Sequence, residues 1–338
     1  DVIWNVGRTG KLTPLALVEP VELSGATVRR ATLNNYGDIQ RKKVKIGCRV
    51  LIRRSNDVIP EILGTTQVFD GNKDVTKPHI CPACDMPLTD DGVNLYCPNI
   101  SGCEPQIVGR IEHFATKDAM DIEGLSEKTA QQLYRDLGIK YVYQLYSIKA
   151  EQLNALEGFK RKKSENLIKA LEKSKNVTLD RFLYALAIPN VGKKSARDLS
   201  DNFKTLENVM SAGYEQLTAL RDFGDIVAEG IINFFKNEEN IKIIKGLICS
   251  GVNIKTAVKA QGALSGESVV VTGTLQTLTR AQAHKLIEDN GGVVQDAVSK
   301  NTTLLIAGEK AGSKLDKAKS LNIKIIGEDG FLKIIGES

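Results

Sequence analysis

The sequence predicts a multidomain protein that joins a small β-barrel, a cysteine-rich module, an all-α repeat region and a small α/β domain. Three patterns predict this order. Residues 1–70 are short β-branched runs separated by turn residues, four cysteines lie between positions 81 and 103, and residues 105–258 contain a helical repeat. A globular protein of several domains fits the 338 residues, of which 42% are hydrophobic and 26% are charged.

The positive charge of the chain is concentrated at its front. The net charge is +5, and residues 1–77 contain 13 Lys and Arg against 8 Asp and Glu. A basic β-rich region favours a polyanionic partner, although a surplus of this size is also typical of an ordinary solvated surface. The sequence has no apolar run of the roughly 20 residues that a membrane span requires, so we expect an intracellular protein with no membrane partner.

The first domain, residues 1–70, is predicted to be a small closed barrel of the oligonucleotide-binding type, an OB-fold. Five strands and one short helix, at residues 36–43, fit into this length. The predicted strands cover residues 2–6, 15–23, 27–33, 48–54 and 58–68. Because Asp1 is not an initiator methionine and a strand follows it directly, we expect the chain to be part of something longer.

Two places in this barrel are candidate phosphate contacts. Period-two alternation in the strand at residues 48–54 turns Arg53 outward, where an arginine can track a phosphate backbone. An arginine that only keeps an edge strand soluble fits the pattern equally well. Arg8 and Thr9 stand between two glycines, and such a turn either clamps a phosphate or is an ordinary hairpin.

Four cysteines form the motif whose chemistry is most specific. Cys81, Cys84, Cys97 and Cys103 are separated by two, twelve and five residues, which is the spacing of a four-thiolate zinc site. The module, residues 71–104, has almost no apolar core, so metal binding would supply its folding free energy. Two disulfides are the alternative, and the expected intracellular location speaks against them. Four thiolates leave no position open for water, so we expect a structural zinc.

The helical region, residues 105–258, contains four copies of one sequence repeat. Alignment of the repeats places a turn residue at positions separated by 34, 32 and 32 residues: Gly124, Gly158, Asn190 and Asp222. A small residue follows six positions later in every repeat, and an apolar residue nine positions later. This pattern is typical of two helices that are joined by a tight hairpin and packed closely together.

Hairpins of this kind resemble the helix-hairpin-helix motif, whose loop amides lie at the start of the second helix and face a DNA phosphate. A tetratricopeptide array has a similar period, but its defining residues are missing. Each hairpin has one of the two usual loop glycines, the second and third are rich in lysine, and the fourth is acidic. The candidate DNA-binding residues are Gly124, Gly158, Lys162, Gly192, Lys193, Lys194 and Gly224.

The last domain, residues 263–338, follows a short polar linker and alternates strands with helices, which predicts a small parallel sheet. Strands are expected at residues 268–272, 303–307 and 323–326. With its TGT sequence after the first strand and a glycine pair before the second, the order resembles a BRCT domain. Some BRCT domains hold a phosphate through a hydroxyl, an amide and a lysine, and the corresponding candidates are Thr272, Gly273 and Lys314.

The order of these parts closely resembles the C-terminal half of bacterial NAD-dependent DNA ligases along the whole chain. The motifs VGRTG, ATLNN and RRSNDVIP and the cysteine spacing carry the resemblance and are specific, whereas the repeats and the last domain occur in many DNA-repair proteins. Asn34 and Asn56 stand where the family usually has His and Gly, which puts only the local barrel geometry in doubt.

The resemblance implies an enzyme that seals nicks with 5′-phosphate and 3′-hydroxyl ends in replication and repair. AMP passes from NAD to a lysine and then to the 5′-phosphate, and the 3′-hydroxyl displaces it. The lysine belongs to a K-x-D-G motif that these 338 residues lack, so no catalytic residue is expected in this chain. A non-catalytic DNA-binding scaffold of DNA repair is the alternative.

The expected partners and cofactors follow from the same resemblance. We expect the DNA-encircling portion of the ligase, a monomer that binds nicked double-stranded DNA and one structural Zn²⁺. NAD and Mg²⁺ are expected to bind mainly outside this chain. A bacterial cytoplasmic protein associated with the nucleoid is the expected location.

Overall fold

The computed structural model describes residues 1–23, 25–55, 59–255, 262–309 and 311–336. The chain divides into two compact units, Asp1–Thr256 and Ala257–Ser338. Asn56 and the beginning of the polar linker lie outside the described residues. No helix in the described part is long and apolar enough to cross a membrane.

The first unit begins with a five-stranded sheet and one short helix. The elements are β1 (Val2–Val6), β2 (Leu12–Leu23), β3 (Ala26–Thr32), α1 (Tyr36–Arg41), β4 (Lys45–Ile46), β5 (Arg49–Ser55) and β6 (Ile59–Gln67). Helix α1 begins where the sequence predicts because the Asn35 side chain accepts a hydrogen bond from the backbone amide of Asp38 at 2.8 Å.

This sheet is an OB-fold. The order of the described strands is β1-β2-β3-β6-β5, and these are the five strands of the OB-fold that the sequence predicts. Neighbouring strands are antiparallel except β3 and β6, and register shifts bend the ladder between β5 and β6. Alternating residues of the strands, such as Ala16, Ala31 and Ile62, form the buried core.

The cysteine-rich module contains three very short strands, β7 (Lys73–Asp74), β8 (Thr89–Asp90) and β9 (Leu95–Tyr96). β4 pairs with β7, and β8 pairs with β9. Leu12 of the barrel and Leu95 of the module form one buried cluster with three of the cysteines, and Trp4 packs against it. The module therefore shares its core with the barrel.

The remainder of the first unit is mostly helical. Its elements are α2 (Glu104–Ala115), α3 (Glu127–Leu137), a 3₁₀ helix (Val142–Ser147), α4 (Ala150–Asn154), α5 (Arg161–Ser174), β10 (Asn176–Thr178), α6 (Leu179–Ala185), α7 (Lys193–Phe203), α8 (Leu206–Met210), α9 (Tyr214–Thr218), α10 (Asp225–Lys236), α11 (Glu238–Cys249) and β11 (Asn253–Lys255). β10 and β11 form a parallel ladder that the all-α prediction missed, because three residues are too few to show strand alternation.

The repeats pack as the sequence pattern predicts. The small residue six positions after each turn is 0% exposed in all four repeats: Ala130, Ser164, Ala196 and Ala228. The apolar residue nine positions after each turn is at most 2% exposed: Leu133, Leu167, Leu199 and Ile231. The second helix of each hairpin therefore packs the same face against one continuous core. These helices are α3, α5, α7 and α10.

The second unit is a four-stranded parallel sheet with helices. Its elements are β12 (Ser268–Thr272), α12 (Arg280–Asp289), β13 (Val293–Gln295), β14 (Leu304–Ala307), α13 (Gly312–Ser320), β15 (Lys324–Ile326) and α14 (Glu328–Ile335). The order is β13-β12-β14-β15. Both faces are covered, since Val269 and Val270 of β12 belong to different buried clusters. The sequence did not predict β13, another strand of three residues.

Candidate metal centre and nucleic-acid interface

The four cysteines converge where the module meets the barrel and α2. Their Sγ atoms lie within 4.8 Å of one another, with 3.9 Å between Cys81 and Cys103 and 3.5 Å between Cys84 and Cys97. A tetrahedron with metal–sulfur bonds of about 2.3 Å has edges of about 3.8 Å, so this cluster could hold a metal ion and fits zinc. These separations are too long for disulfides, whose S–S bond is about 2.05 Å.

Burial disfavours ionisation of two of the four thiols, those of Cys97 and Cys103, so a bound cation would favour their thiolate forms. Cys81, Cys97 and Cys103 are at most 2% exposed. Burial raises the pKa of the Cys97 thiol to about 11 and also raises the pKa of Cys103. Cys103 is the N-cap of α2, where the helix dipole favours a negative charge. Four soft, mostly buried donors of this kind suit a divalent metal with a structural role.

The four hairpins share one backbone turn. The turn residues have φ angles of 84°, 72°, 61° and 68°, in the order Gly124, Gly158, Asn190 and Asp222. Asn and Asp tolerate this left-handed region better than other non-glycine residues, so they preserve the turn where glycine is missing. The second helix follows in each hairpin from an extended N-cap two positions after the turn: Ser126, Lys160, Gly192 and Gly224.

Each of these helix starts is suited to bind an anion. The first amides of α3, α5, α7 and α10 have no acceptor within the helix, and the helix dipole adds partial positive charge. At Gly192 and Gly224 the φ angle is −86°, and a β-carbon would meet no atom within 4 Å. Nothing inside the described protein demands glycine at these two positions, and the bare backbone allows a ligand to approach closely.

A basic groove of about 770 Å³ lies between the first and second hairpins. Gly124 and Gly158 line it together with five lysines, Lys160, Lys162, Lys163, Lys169 and Lys173. Lys163 also lies over the ring of Phe159, with Nζ 3.8 Å from the ring centre. Sequence reasoning missed Lys169 and Lys173, although helical spacing along α5 places both on the face of Lys162.

The third and fourth hairpins are linked by charge. Lys193 forms an ion pair with Asp118, and Lys194 forms one with Asp222. The hydrogen bond to Asp118 raises the pKa of Lys193, and the hydrogen bond from Lys194 lowers the pKa of Asp222. Asp225, the first residue of α10, accepts a hydrogen bond from the Tyr214 hydroxyl at 2.7 Å. The fourth hairpin therefore presents carboxylates where a phosphate would have to bind.

Arg53 points outward from β5, as strand alternation predicts. Its side chain is 58% exposed, and its Nη2 lies 3.4 Å from Oε2 of Glu61 on the opposing strand β6. Lys42 Nζ lies 3.8 Å from the same carboxylate. The outer barrel face therefore carries a small charged cluster in which Arg53 is the most exposed member.

The turn between β1 and β2 packs against its surroundings. A β-carbon at Gly10, whose φ is 80°, would lie 2.5 Å from the carbonyl oxygen of Cys97. Arg8 is half-buried beside Gly109 of α2, burial lowers its pKa, and its Nη1 has no hydrogen-bond partner in the described part of the chain. Thr9 is exposed. The structure thus places Arg8 inside a junction and leaves Thr9 at the surface.

The three phosphate candidates in the second unit, Thr272, Gly273 and Lys314, have contacts with other residues of that unit. Thr272 is 4% exposed, and its hydroxyl donates to the carbonyl oxygen of Ala311 at 2.9 Å. At Gly273, whose φ is 78°, a β-carbon would lie 2.5 Å from the Glu309 carbonyl oxygen, so a side chain does not fit there. The ammonium of Lys314 donates to the Asp296 carbonyl oxygen at 2.7 Å. Internal contacts thus engage the Thr272 hydroxyl and the Lys314 ammonium, and the phosphate assignment of these residues stays a prediction.

Four family models match segments of this chain. They describe the NAD-dependent DNA ligase OB-fold domain at residues 1–72, a SAM-like helix-hairpin-helix tandem at 116–173, a helix-hairpin-helix motif at 181–244 and a BRCA1 C Terminus (BRCT) domain at 259–335. Together with the cysteine cluster and the hairpin turns, these matches define a multidomain protein that joins an OB-fold, helix-hairpin-helix motifs and a BRCT domain.

Curated relatives give the family. The chain is 50% identical over its full length to the DNA ligase of Alkaliphilus oremlandii, and 49% identical over 99% of its length to those of Clostridium perfringens and Clostridium tetani. It covers 51% of each of these proteins, so it spans about half the length of the curated relatives that it matches. The chain belongs to the NAD-dependent DNA ligase family, and its domains fit the DNA-binding portion, consistent with a C-terminal half.

Proposed function

We propose that this chain is the DNA-binding and DNA-encircling portion of an NAD-dependent DNA ligase that seals single-strand nicks in replication and repair. The observation that carries the proposal is the similarity to DNA ligases along the whole chain at about 50% identity. NAD and Mg²⁺ bind mainly outside this chain, which lacks the K-x-D-G lysine. The protein acts as a monomer on nicked duplex DNA, in the bacterial cytoplasm at the nucleoid.

The hairpins and the barrel divide the contact with DNA in this proposal. The amides that begin α3, α5 and α7 bind phosphates, and the lysines of the basic groove neutralise neighbouring phosphates without reading a base. Arg53 contacts the minor groove at the nick, which its exposed position on β5 supports. Thr9 offers a hydroxyl to the backbone from the exposed turn, and Arg8 supports that turn from within.

Zinc is the metal that we assign to the cysteine cluster, and its role is structural. The tetrahedral sulfur distances and the absence of an open ligand position support this assignment. Because the cluster shares a core with Leu12 and Trp4, bound zinc also stabilises the barrel face next to it. Through Cys103, the N-cap of α2, the same ion orients the first helix of the repeat region.

A titration of the isolated chain with labelled nicked duplex tests the DNA-binding part of this proposal. We expect an affinity that depends little on the DNA sequence and falls steeply with salt. The slope of log K against log salt concentration should be about −0.9 for each phosphate that the protein neutralises. Lys162→Gln combined with Lys169→Gln should weaken binding to all sequences and reduce this slope by up to about 2.

The matched control replaces two exposed lysines outside the hairpin turns, Lys236→Gln at the end of α10 and Lys245→Gln within α11. It removes the same charge, and its effect should be clearly smaller. A salt-independent affinity, or a strong preference for one sequence at the nick, would contradict the proposed function.

A further inference from the structure

The two lysine-bearing hairpins differ in what their lysines contact. On the second hairpin, neither Lys160 nor Lys162 forms an ion pair with a residue of the described chain. On the third hairpin both lysines are engaged, Lys193 by Asp118 and Lys194 by Asp222. The same chemical group that should hold a DNA phosphate is therefore free on one hairpin and already occupied on the other.

The two carboxylates come from the first and the fourth hairpins. Asp118 lies in the segment that leads from α2 into the first hairpin, and Asp222 is the turn residue of the fourth. The contacts join residues 75 and 28 positions apart, so they exist only because the repeats pack together. A carboxylate and a phosphate oxygen both accept charge-assisted hydrogen bonds from an ammonium group, so the two compete for the same donor.

These ion pairs are open to solvent. The side chains of Lys193 and Asp118 are 59% and 51% exposed, and those of Lys194 and Asp222 are 73% and 58% exposed. Exposed pairs of this kind contribute little to stability, so a phosphate can displace the carboxylates without disturbing the fold. The exchange nevertheless breaks one favourable pair for each one it forms.

We propose that Asp118 and Asp222 occupy the lysines of the third hairpin in the free protein and compete with DNA phosphates for them. This inference rests on the proposed DNA-binding function. The second hairpin then engages DNA first, and the third contributes only after both carboxylates have been displaced. When a lysine leaves a carboxylate to bind a phosphate, fewer counterions are released in total than when a free lysine binds. The affinity for DNA therefore depends less steeply on salt than the number of lysines would predict.

Neutralisation of the carboxylates tests this competition. Asp118→Asn and Asp222→Asn would each be titrated with the nicked duplex, alone and combined with Lys193→Gln or Lys194→Gln respectively. Each Asn variant should tighten binding roughly two- to fivefold and steepen the salt slope by up to about 0.9. The gain should vanish when the partner lysine is already Gln. Asparagine at position 222 keeps the turn because it tolerates a positive φ.

Asp136→Asn is the matched control, because Asp136 is exposed near the end of α3, away from the hairpin turns, and forms no ion pair in the described chain. If the Asn variants gain no more DNA affinity than Asp136→Asn, or if the gain persists when the partner lysine is Gln, the proposed competition is wrong. The gain would then be a general effect of the lost negative charge. Weaker DNA binding by Asp118→Asn would also contradict the proposal, because the carboxylate would then position the lysine for the phosphate instead of competing with it. A wild-type chain that fails to bind nicked duplex refutes the proposed function as well, whereas binding without coupling refutes only this inference.

Discussion

Cys97 connects the metal cluster to both of its neighbours through its backbone. Its amide donates to the Gly10 carbonyl oxygen at 2.8 Å, and its own carbonyl oxygen accepts from the Gln106 side chain at 3.0 Å. Gly10 belongs to the barrel turn and Gln106 to α2. Loss of the metal at this residue should therefore loosen three elements together.

Cys97→Ser is expected to remove zinc and lower the unfolding temperature, because a hydroxyl is a poor zinc ligand and the module has little core without the metal. Metal analysis and thermal unfolding of the purified protein measure both effects. Cys249→Ser is the control, since Cys249 is exposed and lies outside the cluster, and it should change neither quantity. Wild-type protein without zinc, or Cys97→Ser with an unchanged zinc content, would refute the assignment.

For individual residues, the sequence predicted local chemistry but not which side chains distant in the chain form ion pairs. Cysteine spacing predicted a cluster that the structure brings together, because ligand spacing along the chain is set by short turns. The left-handed turn at Asn190 and Asp222 was readable too, from the tolerance of both residues for that conformation. The partner of Lys193 was not readable, because only the packed repeats bring Asp118 near it.

Helix packing within the repeats makes a prediction at the scale of elements. Ala196 is 0% exposed on α7, so leucine at this position would force neighbouring helices apart. Ala196→Leu should lower the free energy of unfolding by about 1–3 kcal/mol in a denaturant titration. Ala155→Leu, at an exposed alanine after α4, makes the same chemical change and should stay within about 0.5 kcal/mol. An equal loss in both variants would contradict close packing at the repeat position.

Elements that repeat or alternate over many residues were predictable, whereas of the four described strands with three residues only β15 was predicted. The four hairpins could be found because each copy supports the others. Strands β10, β11 and β13 have three residues each, too few for period-two alternation, and β10 pairs with a segment 77 positions away.

Within the first unit, specific contacts join the parts that would meet DNA. Arg181 of α6 donates to the carbonyl oxygens of Ala119 and Lys117 beside the first hairpin, at 2.9 and 2.7 Å. His113 of α2 donates from Nε2 to the Tyr184 carbonyl oxygen of α6 at 2.8 Å. Burial lowers the pKa of His113, which favours its neutral form. These three hydrogen bonds join α6 to α2 and to the segment that leads into the first hairpin.

Arg53 gives the prediction that concerns the whole enzyme, because its effect appears only when the adenylylating part is present. Arg53→Ala in the full-length ligase should slow sealing of a nick while the reaction of the enzyme with NAD continues. A charge-assisted contact to phosphate contributes about 1.5–3 kcal/mol, so the sealing rate should fall by roughly one to two decades. Single-turnover kinetics of pre-adenylylated enzyme on a nicked duplex, at subsaturating DNA, measure this rate.

Glu61→Gln separates a DNA contact of Arg53 from its pairing within the barrel. Glu61 is the carboxylate partner of Arg53, 3.4 Å away, so its neutralisation breaks the same ion pair but leaves the guanidinium available to DNA. If Arg53 acts on DNA, Glu61→Gln should seal nicks at least as fast as the wild type. If both variants lose the same rate, the ion pair matters only for the barrel. If Arg53→Ala seals nicks at the wild-type rate, the arginine is a solubilising charge on an edge strand, because the most exposed cation of that face would then contribute nothing to DNA.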